Sequence, residues 1–266
     1  MLHLIATPIG NLQDISLRAI TTLKTCTYIL CEDTRTSKPL LSTHGIKTPL
    51  KSFHAFNEKA REDAVIQDLK AGLSIGLISD AGTPGICDPG EALIQRCLTE
   101  ELPITTIPGP CAWAAALSLS PFPKEAVQFL GFLPKKEGER QKFLARHLLY
   151  PGTTIFYEAP GRLVSTLSLL PPERQVCVVR ELTKIHEEVR VGSALEVCRH
   201  YMSAPPKGEI VLLVAPPAFS STLTPQEWVH KLMTTFHISQ QEAIKIVADL
   251  LQTPKREIYR VIHHLE

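Results

Sequence analysis

Charged side chains follow several of the apolar segments whose composition predicts buried strands. Six of these residues could take part in catalysis: Glu32, Asp33, Arg35, Glu58, Glu181 and Lys184. A carboxylate can take a proton from a reacting group, and Lys or Arg can orient a phosphate or a hydroxyl. A charge at the end of a buried strand is unfavourable unless it is paired or functional. Each residue alone is explained more simply by an ion pair, such as Glu32–Arg35 or Glu181–Lys184, whereas the set together predicts one cleft.

Four loops rich in Gly, Pro and small residues follow predicted strands: residues 7–11, 79–90, 107–112 and 156–160. The second loop has three Gly, two Pro and two Asp within eleven residues. Glycine lets a backbone approach a ligand closely, and ligands of open α/β sheets bind at the carboxyl ends of strands. Because parallel strands align these ends, we expect the four loops to meet on one rim. The rim has few Lys and Arg, which favours a neutral or cationic ligand over a phosphate-rich one. The alternative is a set of tight strand-to-helix turns without a ligand.

Several common catalytic motifs are absent from the sequence. There is no phosphate-binding P-loop, no H-E-x-x-H, no G-x-S-x-G and no G-x-G-x-x-G after the first predicted strand. The seven Cys form no C-x-x-C pair, and the His and Cys lack zinc-ligand spacing. We therefore expect no metal site and reduced, mostly packed thiols.

Length and charge place the chain among ordinary globular proteins. It has 266 residues, 44% of them hydrophobic, and a formal net charge of +1, so no overall field indicates a nucleic acid or a membrane. No apolar run reaches the roughly 20 residues that cross a bilayer, and the first residues read as a strand rather than a signal peptide. A cytoplasmic protein is expected.

Strand and helix patterns alternate along the first half of the chain. Strands are predicted at 3–7, 27–31, 50–53, 73–79 and 104–107, with helices at 12–23, 34–43, 59–71 and 90–100. This rhythm predicts a mostly parallel sheet covered by helices. The second half has strands at 128–133, 153–157, 175–180, 188–191 and 210–214, and helices at 140–149 and 161–169.

The domain prediction has three parts. We expect α/β domains at 1–120 and 121–217, and a small three-helix domain at 224–266. Capping boxes at Thr224–Glu227 and Ser239–Glu242 and a Pro after Thr253 start the three terminal helices.

Two basic clusters accompany these elements: Lys135, Lys136, Arg140, Lys142 and Arg146, and then Lys255, Arg256 and Arg260. The simpler interpretation is a solvated face. The functional one is contact with the phosphates of a nucleic acid.

An ordered series of motifs resembles one family. The series is Thr7-Pro8-Ile9-Gly10-Asn11-Leu12, Glu32-Asp33-Thr34-Arg35, Ser79-Asp80-Ala81-Gly82-Thr83-Pro84, Pro108-Gly109-Pro110, Phe156-Tyr157-Glu158 and Arg180-Glu181-Leu182-Thr183-Lys184. Over residues 2–215 it is similar to the bacterial 16S ribosomal RNA cytidine 2′-O-methyltransferases, which have the tetrapyrrole-methylase fold. The C-terminal helices resemble a small helical domain that many members carry.

The resemblance implies S-adenosylmethionine as the methyl donor, bound in the cleft between two α/β domains. It also implies 16S ribosomal RNA or the assembled small subunit as substrate, and a homodimer. By position in the motifs, it implies donor contacts at Pro8, Ala81, Gly82, Thr83, Ile86, Cys111, Ala112, Tyr157, Glu158 and Leu182. Asp80 or Glu158 could lower the cost of burying the cationic sulfonium. The proton acceptor is expected among Glu32, Asp33, Glu58 and Glu181, with Lys184 and Arg35 orienting the phosphate or the hydroxyl.

The sequence departs from the family pattern twice. Ala159-Pro160-Gly161-Arg162 stands where Ser-Pro-His-Arg is usual, and Phe56 replaces a His before Asn57-Glu58. If either histidine is catalytic in relatives, His54 is the nearest substitute here. Two other functions stay open: a methyltransferase of this fold acting on a tetrapyrrole or a protein side chain, and a non-catalytic RNA-binding factor that uses the terminal helices.

Overall fold

The computed structural model describes residues 1–217 and 223–263. Within them the chain forms two compact units. The first contains Met1–Ala115 together with Leu182–Ile185, and the second contains Ala116–Glu181 and the described residues from His186 onward. The short segment Leu182–Ile185 therefore belongs to the first unit although both of its neighbours in sequence belong to the second.

The first unit is built on a five-stranded parallel sheet. Its strands are β1 (Leu2–Ile5), β2 (Tyr28–Cys31), β3 (Leu50–Ser52), β4 (Ile75–Leu77) and β5 (Ile104–Ile107), in the order β3-β2-β4-β1-β5. The helices that follow these strands are α1 (Leu17–Thr25), α2 (Thr34–Thr43), α3 (Glu58–Lys70), α4 (Glu91–Thr99) and α5 (Ala112–Leu119). The predicted parallel sheet with alternating helices is confirmed for this half of the chain.

Apolar side chains cover both faces of this sheet. Ile29 and Cys31 of β2 pack in one buried cluster, while Tyr28 and Leu30 pack in another. Successive side chains of a strand point to opposite faces, so a strand buried on both faces must be apolar at every position. This is why residues 28–31 read as one continuous apolar run.

The second unit contains a mixed sheet. Its strands are β6 (Val127–Phe132), β7 (Thr153–Glu158), β8 (Gln175–Arg180), β9 (Glu188–Ser193) and β10 (Ile210–Val214), in the order β6-β7-β10-β8-β9. Only the β6–β7 pair is parallel, and β10 runs antiparallel to both β7 and β8. We expect parallel strands to bring all four Gly/Pro loops to one rim. For residues 156–160 this premise is wrong, because residues 156–158 form the end of β7 in this mixed sheet.

Six helices complete the second unit: α6 (Glu137–His147), α7 (Leu163–Leu167), α8 (Ala194–Ser203), α9 (Pro225–Phe236), α10 (Gln240–Leu250) and α11 (Lys255–His263). Buried residues of the last three share one apolar cluster with the sheet, for example Phe236 and Val247 with Phe156 and Leu212. The capping boxes predicted at Thr224 and Ser239 give the N-caps of α9 and α10, although the reciprocal bond is present only at Thr224. The last three residues of the predicted helical domain, 264–266, lie outside the described residues. None of the described helices is both long and apolar enough to cross a bilayer.

Candidate active site

Three of the four Gly/Pro loops meet in the first unit. Thr7 and Gly82 exchange two backbone hydrogen bonds, in which the donor–acceptor distances are 2.8 and 3.1 Å. The Thr7 hydroxyl donates to the carbonyl of Ser79 at 3.2 Å, and the Thr83 hydroxyl donates to the carbonyl of Pro110 at 3.1 Å. These bonds join the ends of β1, β4 and β5 into one wall, as the aligned ends of parallel strands allow.

Glycine suits the backbone conformation that this wall requires at position 82. Gly82 has a φ of +84° in the left-handed region, which costs a residue with a Cβ about 1–2 kcal/mol. It lies at the bridge to Thr7, where its own N–H and carbonyl are both used. The backbone of residues 79–83 is thereby fixed while the side chains of Asp80 and Ala81 stay exposed.

Gly10 of the first loop packs against the segment that joins the first unit from further along the chain. A Cβ on Gly10 would lie 2.9 Å from the carbonyl oxygen of Leu182 and 2.9 Å from the hydroxyl oxygen of Thr183. Thr183 has a φ of +65°, so this segment is held in a conformation that side chains rarely adopt. Leu182 is buried. The close approach therefore holds Leu182 and Lys184 beside the first loop.

We expect Gly10→Ala to disturb this contact and weaken donor binding about tenfold, because inserting a methyl group into a tight contact costs about 1–3 kcal/mol. Isothermal titration calorimetry with S-adenosylmethionine measures the affinity. The matched control is Gly138→Ala in α6, where an added Cβ would contact nothing within 4 Å. Unchanged affinity in Gly10→Ala would show that the packing of Leu182 on the first loop does not shape the donor site.

Three carboxylates interact at the ends of β2 and β4. The carboxylate of Glu32 accepts a hydrogen bond from the backbone N–H of Asp80, and the Asp80 carboxylate accepts one from the N–H of Asp33 at 3.3 Å. Burial raises the pKa of Glu32, and the neighbouring charges of Asp88 and Asp80 raise it further. The pKa of Asp88 is raised as well, by burial and by Asp80, against a hydrogen bond from Ser79. Glu32 thus has the environment of a general base with a pKa shifted toward neutral pH.

Asp88 was not among the predicted catalytic residues. The available signal was the second Asp in the loop of residues 79–90, but the sequence does not show which of its two Asp faces Glu32. In the structure Asp88 is only partly exposed, and after burial its charge contributes most to the raised pKa of Glu32.

The charge of Asp88 gives a prediction about pH. Asp88→Asn should lower the pKa of Glu32, so the ascending limb of kcat/KM for methyl transfer against pH should move to lower pH. Exposed Asp14, changed to Asn, is the control. A limb that does not move in Asp88→Asn would argue that Glu32 does not control the rate.

The same substitution should change stability in a known direction. A carboxyl with a raised folded-state pKa stabilises the fold below its unfolded pKa, and this contribution is lost as pH rises through the folded pKa. At pH 7 the ionised carboxylates oppose folding, so Asp88→Asn should raise the free energy of unfolding measured in urea there.

Asp33 and Arg35 form a pair of their own. Asp33 caps α2 by accepting from the N–H of Arg35 at 2.8 Å, and the guanidinium of Arg35 approaches its carboxylate to 2.7 Å. The Arg35 side chain and the capping N–H lower the pKa of Asp33 to about 2. The simpler interpretation, an ion pair between Glu32 and Arg35, is wrong, because Arg35 pairs with Asp33 instead. Asp33 is a poor proton acceptor, because it stays ionised and is already bound.

Glu58 ties helix α3 to the loop of residues 79–90. Its carboxylate accepts a hydrogen bond from the N–H of Gly90 at 3.1 Å. Just before it, the Asn57 side chain accepts from the N–H of His54 at 2.8 Å and lies 3.1 Å from its ring Nε2. Glu58 is therefore placed next to the loop of residues 79–90, in a tight turn that also contains His54.

Four predicted donor-contact residues of the first unit differ in exposure. Pro8 is buried, Ile86 is 44% exposed, and Cys111 and Ala112 are intermediate at the start of α5. Burial raises the pKa of the Cys111 thiol, while the N–H groups of Ala114 and Trp113 act against that shift. The thiol is a packing or contact group rather than a nucleophile.

In the second unit, Glu158 is used internally. Its side chain has no exposed surface, and its carboxylate lies 2.6 Å from the guanidinium of Arg162. It also accepts from the Thr166 hydroxyl at 2.6 Å and from the N–H of Ala159 at 2.7 Å. Every oxygen is occupied, so Glu158 supports the residues around it, and a direct contact of its carboxylate with a sulfonium has little geometric support.

Two further predicted residues lie in the second unit. The ring of Tyr157 packs edge-on against Phe129 and Phe132, with centroid distances of 4.9 and 5.3 Å. Glu181 accepts from the N–H of Glu209 at 2.9 Å, and a Cβ on Gly208 would collide with its carboxylate. The backbone around Gly208 thus holds Glu181 in place.

Two members of the predicted basic cluster around α6, Arg140 and Arg146, are not free to bind a nucleic acid in the structure. Arg140 is 2% exposed, and its guanidinium donates to the carbonyls of Pro134 and Lys135 and to Ser165. Arg146 pairs with Asp249. Arg140 is therefore a structural residue, and an RNA contact at α6 would have to come from exposed lysines such as Lys142. No group of three or more His, Cys, Asp or Glu in the described parts of the chain could hold a metal ion.

Comparison with known proteins identifies the family. The model of the tetrapyrrole (corrin/porphyrin) methylases matches residues 1–198. A protein of Halalkalibacterium halodurans named ribosomal RNA small subunit methyltransferase I is 40% identical over 98% of this chain and 94% of its own. Its namesake in Rickettsia prowazekii is 37% identical over 98% and 96%.

Solved structures share the fold at low identity. Diphthine synthase has a TM-score of 0.63 and 10% identity, over 98% of this chain and 99% of its own. A uroporphyrin-III C-methyltransferase of Thermus thermophilus complexed with S-adenosylhomocysteine has a TM-score of 0.57 and 14% identity, over 80% and 96%. The chain therefore belongs to the tetrapyrrole methylase family and, within it, to the ribosomal RNA small subunit methyltransferases I.

Proposed function

We propose that the protein transfers a methyl group from S-adenosylmethionine to the ribose 2′-hydroxyl of a cytidine in 16S ribosomal RNA. The observation that carries this proposal is the identity of 36–44% to proteins named ribosomal RNA small subunit methyltransferase I, over nearly the full chain in most of them. A tetrapyrrole or protein substrate is not favoured. The solved structures of uroporphyrin-III C-methyltransferase and diphthine synthase are similar to this chain in fold alone. A non-catalytic RNA-binding role would leave the joined loops and carboxylates of the first unit without a use.

The residues of the first unit suit a cationic donor. Asp80 and Ala81 are exposed on a loop whose backbone is fixed at Gly82, and the carboxylates of Glu32 and Asp88 interact with Asp80. When bound, S-adenosylmethionine supplies an electrophilic methyl carbon next to a positively charged sulfur. Negative charge nearby lowers the cost of burying such a cation. Pro8, Gly82, Thr83, Ile86, Cys111, Ala112 and Leu182 would form the walls.

Glu32 is our candidate for the proton acceptor. A 2′-hydroxyl is a weak nucleophile until its proton is removed, and an acceptor with a raised pKa takes that proton more readily at neutral pH. Asp33 has a lowered pKa and is paired with Arg35, so we assign it to holding Arg35. Arg35, which is exposed, and Lys184 would orient the phosphate or the hydroxyl. Glu58 and Glu181 would position backbone through Gly90 and Glu209.

The substrate and setting follow from the proposed reaction. We propose that 16S ribosomal RNA or the assembled small subunit is the partner, in the cytoplasm, and that the protein acts as a homodimer, as the resemblance implies. The division into α/β domains at 1–120 and 121–217 and a helical domain at 224–266 also stays a proposal.

The decisive experiment is transfer of tritium from labelled S-adenosylmethionine to small ribosomal subunits that lack the modification, followed by nucleoside mapping. Label in 2′-O-methylcytidine supports donor, reaction and substrate together. Label in another nucleoside would contradict the assigned target. If the protein binds the donor but transfers no methyl group, the proposed RNA substrate is contradicted and the proposed donor site is retained.

A further inference from the structure

Phe56 is an aromatic side chain that the fold holds in solvent. It is 97% exposed and lies between β3 and α3. The turn around it is firm, because the N–H groups of Asn57 and Glu58 both donate to the carbonyl of His54 at 2.9 Å. Its ring meets that of His54 edge-on, with a centroid distance of 6.1 Å. Phe56 therefore contributes almost nothing to a core, yet its backbone position is fixed.

Two basic side chains follow Phe56, and the acidic side chains around them are already bound, Glu58 to the N–H of Gly90 and Glu62 and Asp63 to Arg96. Lys59 and Arg61, in the first turns of α3, are exposed, and neither makes an ion pair with any described residue. Leu98 on α4 offers a contrast in the same unit. It is 57% exposed, and the nearby basic residue Arg96 is already paired with Glu62, Asp63 and Glu100.

The turn is also linked to the candidate active site. Two residues after Phe56, the carboxylate of Glu58 accepts a hydrogen bond from the N–H of Gly90, the last residue of the loop of residues 79–90. A nucleotide stacked on Phe56 would thus lie next to the loop where the methyl donor is proposed to bind.

We propose that Phe56 is a stacking platform for a base of the RNA substrate, with Lys59 and Arg61 contacting the flanking phosphates. This inference rests on the proposed function, and it names a residue that selects unpaired RNA. RNA is mostly recognised in single-stranded loops and bulges, where bases that have left the stack can stack on aromatic side chains instead. An exposed aromatic ring replaces the lost stacking for any base, and its removal typically weakens binding about tenfold. The platform therefore recognises that a nucleotide is unstacked and does not read its sequence.

The first test compares Phe56→Ala and Phe56→Trp in methyl transfer to small subunits that lack the modification. We expect KM to rise about tenfold in Phe56→Ala and to return toward the wild-type value in Phe56→Trp, since a larger ring still stacks. Affinity for S-adenosylmethionine, measured by calorimetry, should not change in either. Leu98→Ala is the matched control and should behave as wild type.

The second test has a readout that does not depend on activity. The added tryptophan of Phe56→Trp should lose fluorescence when a single-stranded ribosomal RNA fragment binds, beyond the change that wild type shows through Trp113 and Trp228. Leu98→Trp should show no such added loss. Substituting Lys59 and Arg61 by Ala should weaken the quenching and reduce its dependence on salt.

The outcomes separate this proposal from the proposed function. Wild-type KM in Phe56→Ala, or equal quenching in Phe56→Trp and Leu98→Trp, overturns the platform. Quenching at position 56 in a protein that transfers no methyl group to RNA would retain the platform and reject the proposed reaction. Methyl transfer to RNA that does not change when Phe56 is substituted would retain the proposed reaction and reject the platform.

Discussion

Replacing Glu32 by Gln is expected to lower kcat for methyl transfer by about 10²–10⁴-fold, the usual contribution of a general base. The physical reason is that the amide keeps the size of the side chain but cannot take the proton of the 2′-hydroxyl. Burial, Asp88 and Asp80 raise the pKa of Glu32, which makes its carboxylate a stronger base than an exposed glutamate. Single-turnover transfer from labelled donor to small subunits measures the chemical step directly.

The control for this variant is the donor affinity. Glu32→Gln should bind S-adenosylmethionine within a fewfold of wild type, because the proposed role is proton transfer. The ascending limb of the pH profile should disappear with the rate. A variant with wild-type kcat would remove Glu32 from the mechanism. A variant that loses donor binding, with kcat unchanged at saturating donor, would assign Glu32 to the donor site.

Replacing Glu158 by Ala is expected to lower the free energy of unfolding by about 3 kcal/mol, as found when one partner of a buried ion pair is removed. The side chain of Glu158 has no exposed surface, whereas that of Arg162 is 24% exposed. The variant would leave Arg162, the Thr166 hydroxyl and the N–H of Ala159 without their acceptor. Urea unfolding followed by circular dichroism measures the change.

An exposed glutamate of the same unit provides the comparison. Glu137 lies 3.9 Å from Arg140 with 70% of its side chain exposed, so Glu137→Ala should change stability by less than about 1 kcal/mol. Glu158→Gln distinguishes a structural role of the carboxylate from a direct contact with the methyl donor. If it folds stably and yet loses affinity for S-adenosylmethionine, the carboxylate acts on the donor, and its assignment as a supporting residue is wrong.

Local chemistry in the sequence was enough to locate many elements. The bounds predicted at 34–43, 104–107, 175–180 and 210–214 agree with α2, β5, β8 and β10. Each is a case where adjacent residues carry the signal, such as a capping Asp or a continuous apolar run. The predicted helix at 12–23 is instead a short 3-10 turn at Leu12–Asp14 followed by α1, because Ser16 caps a new start.

Two helices were missed for different reasons. Helix α5 is a run of Ala, Trp, Leu and Ser without an amphipathic period, so the pattern does not separate it from a loop. Helix α8 begins with a capping box of Ser193 and Glu196, a signal that the sequence itself contains.

The sequence by itself determined the family, the parallel α/β design of the first unit and the loops that meet there, because these depend on short motifs and on apolar runs. Only the tertiary structure decided which charges are free to react. Asp33 is bound to Arg35, Glu158 is enclosed with Arg162, and Arg140 is buried, while Glu32 shares its surroundings with Asp88. The direction of β10 between β7 and β8 was decided in the same way. The physical reason is common to these cases: burial and pairing depend on residues far apart in the chain, and neither spacing nor composition records them.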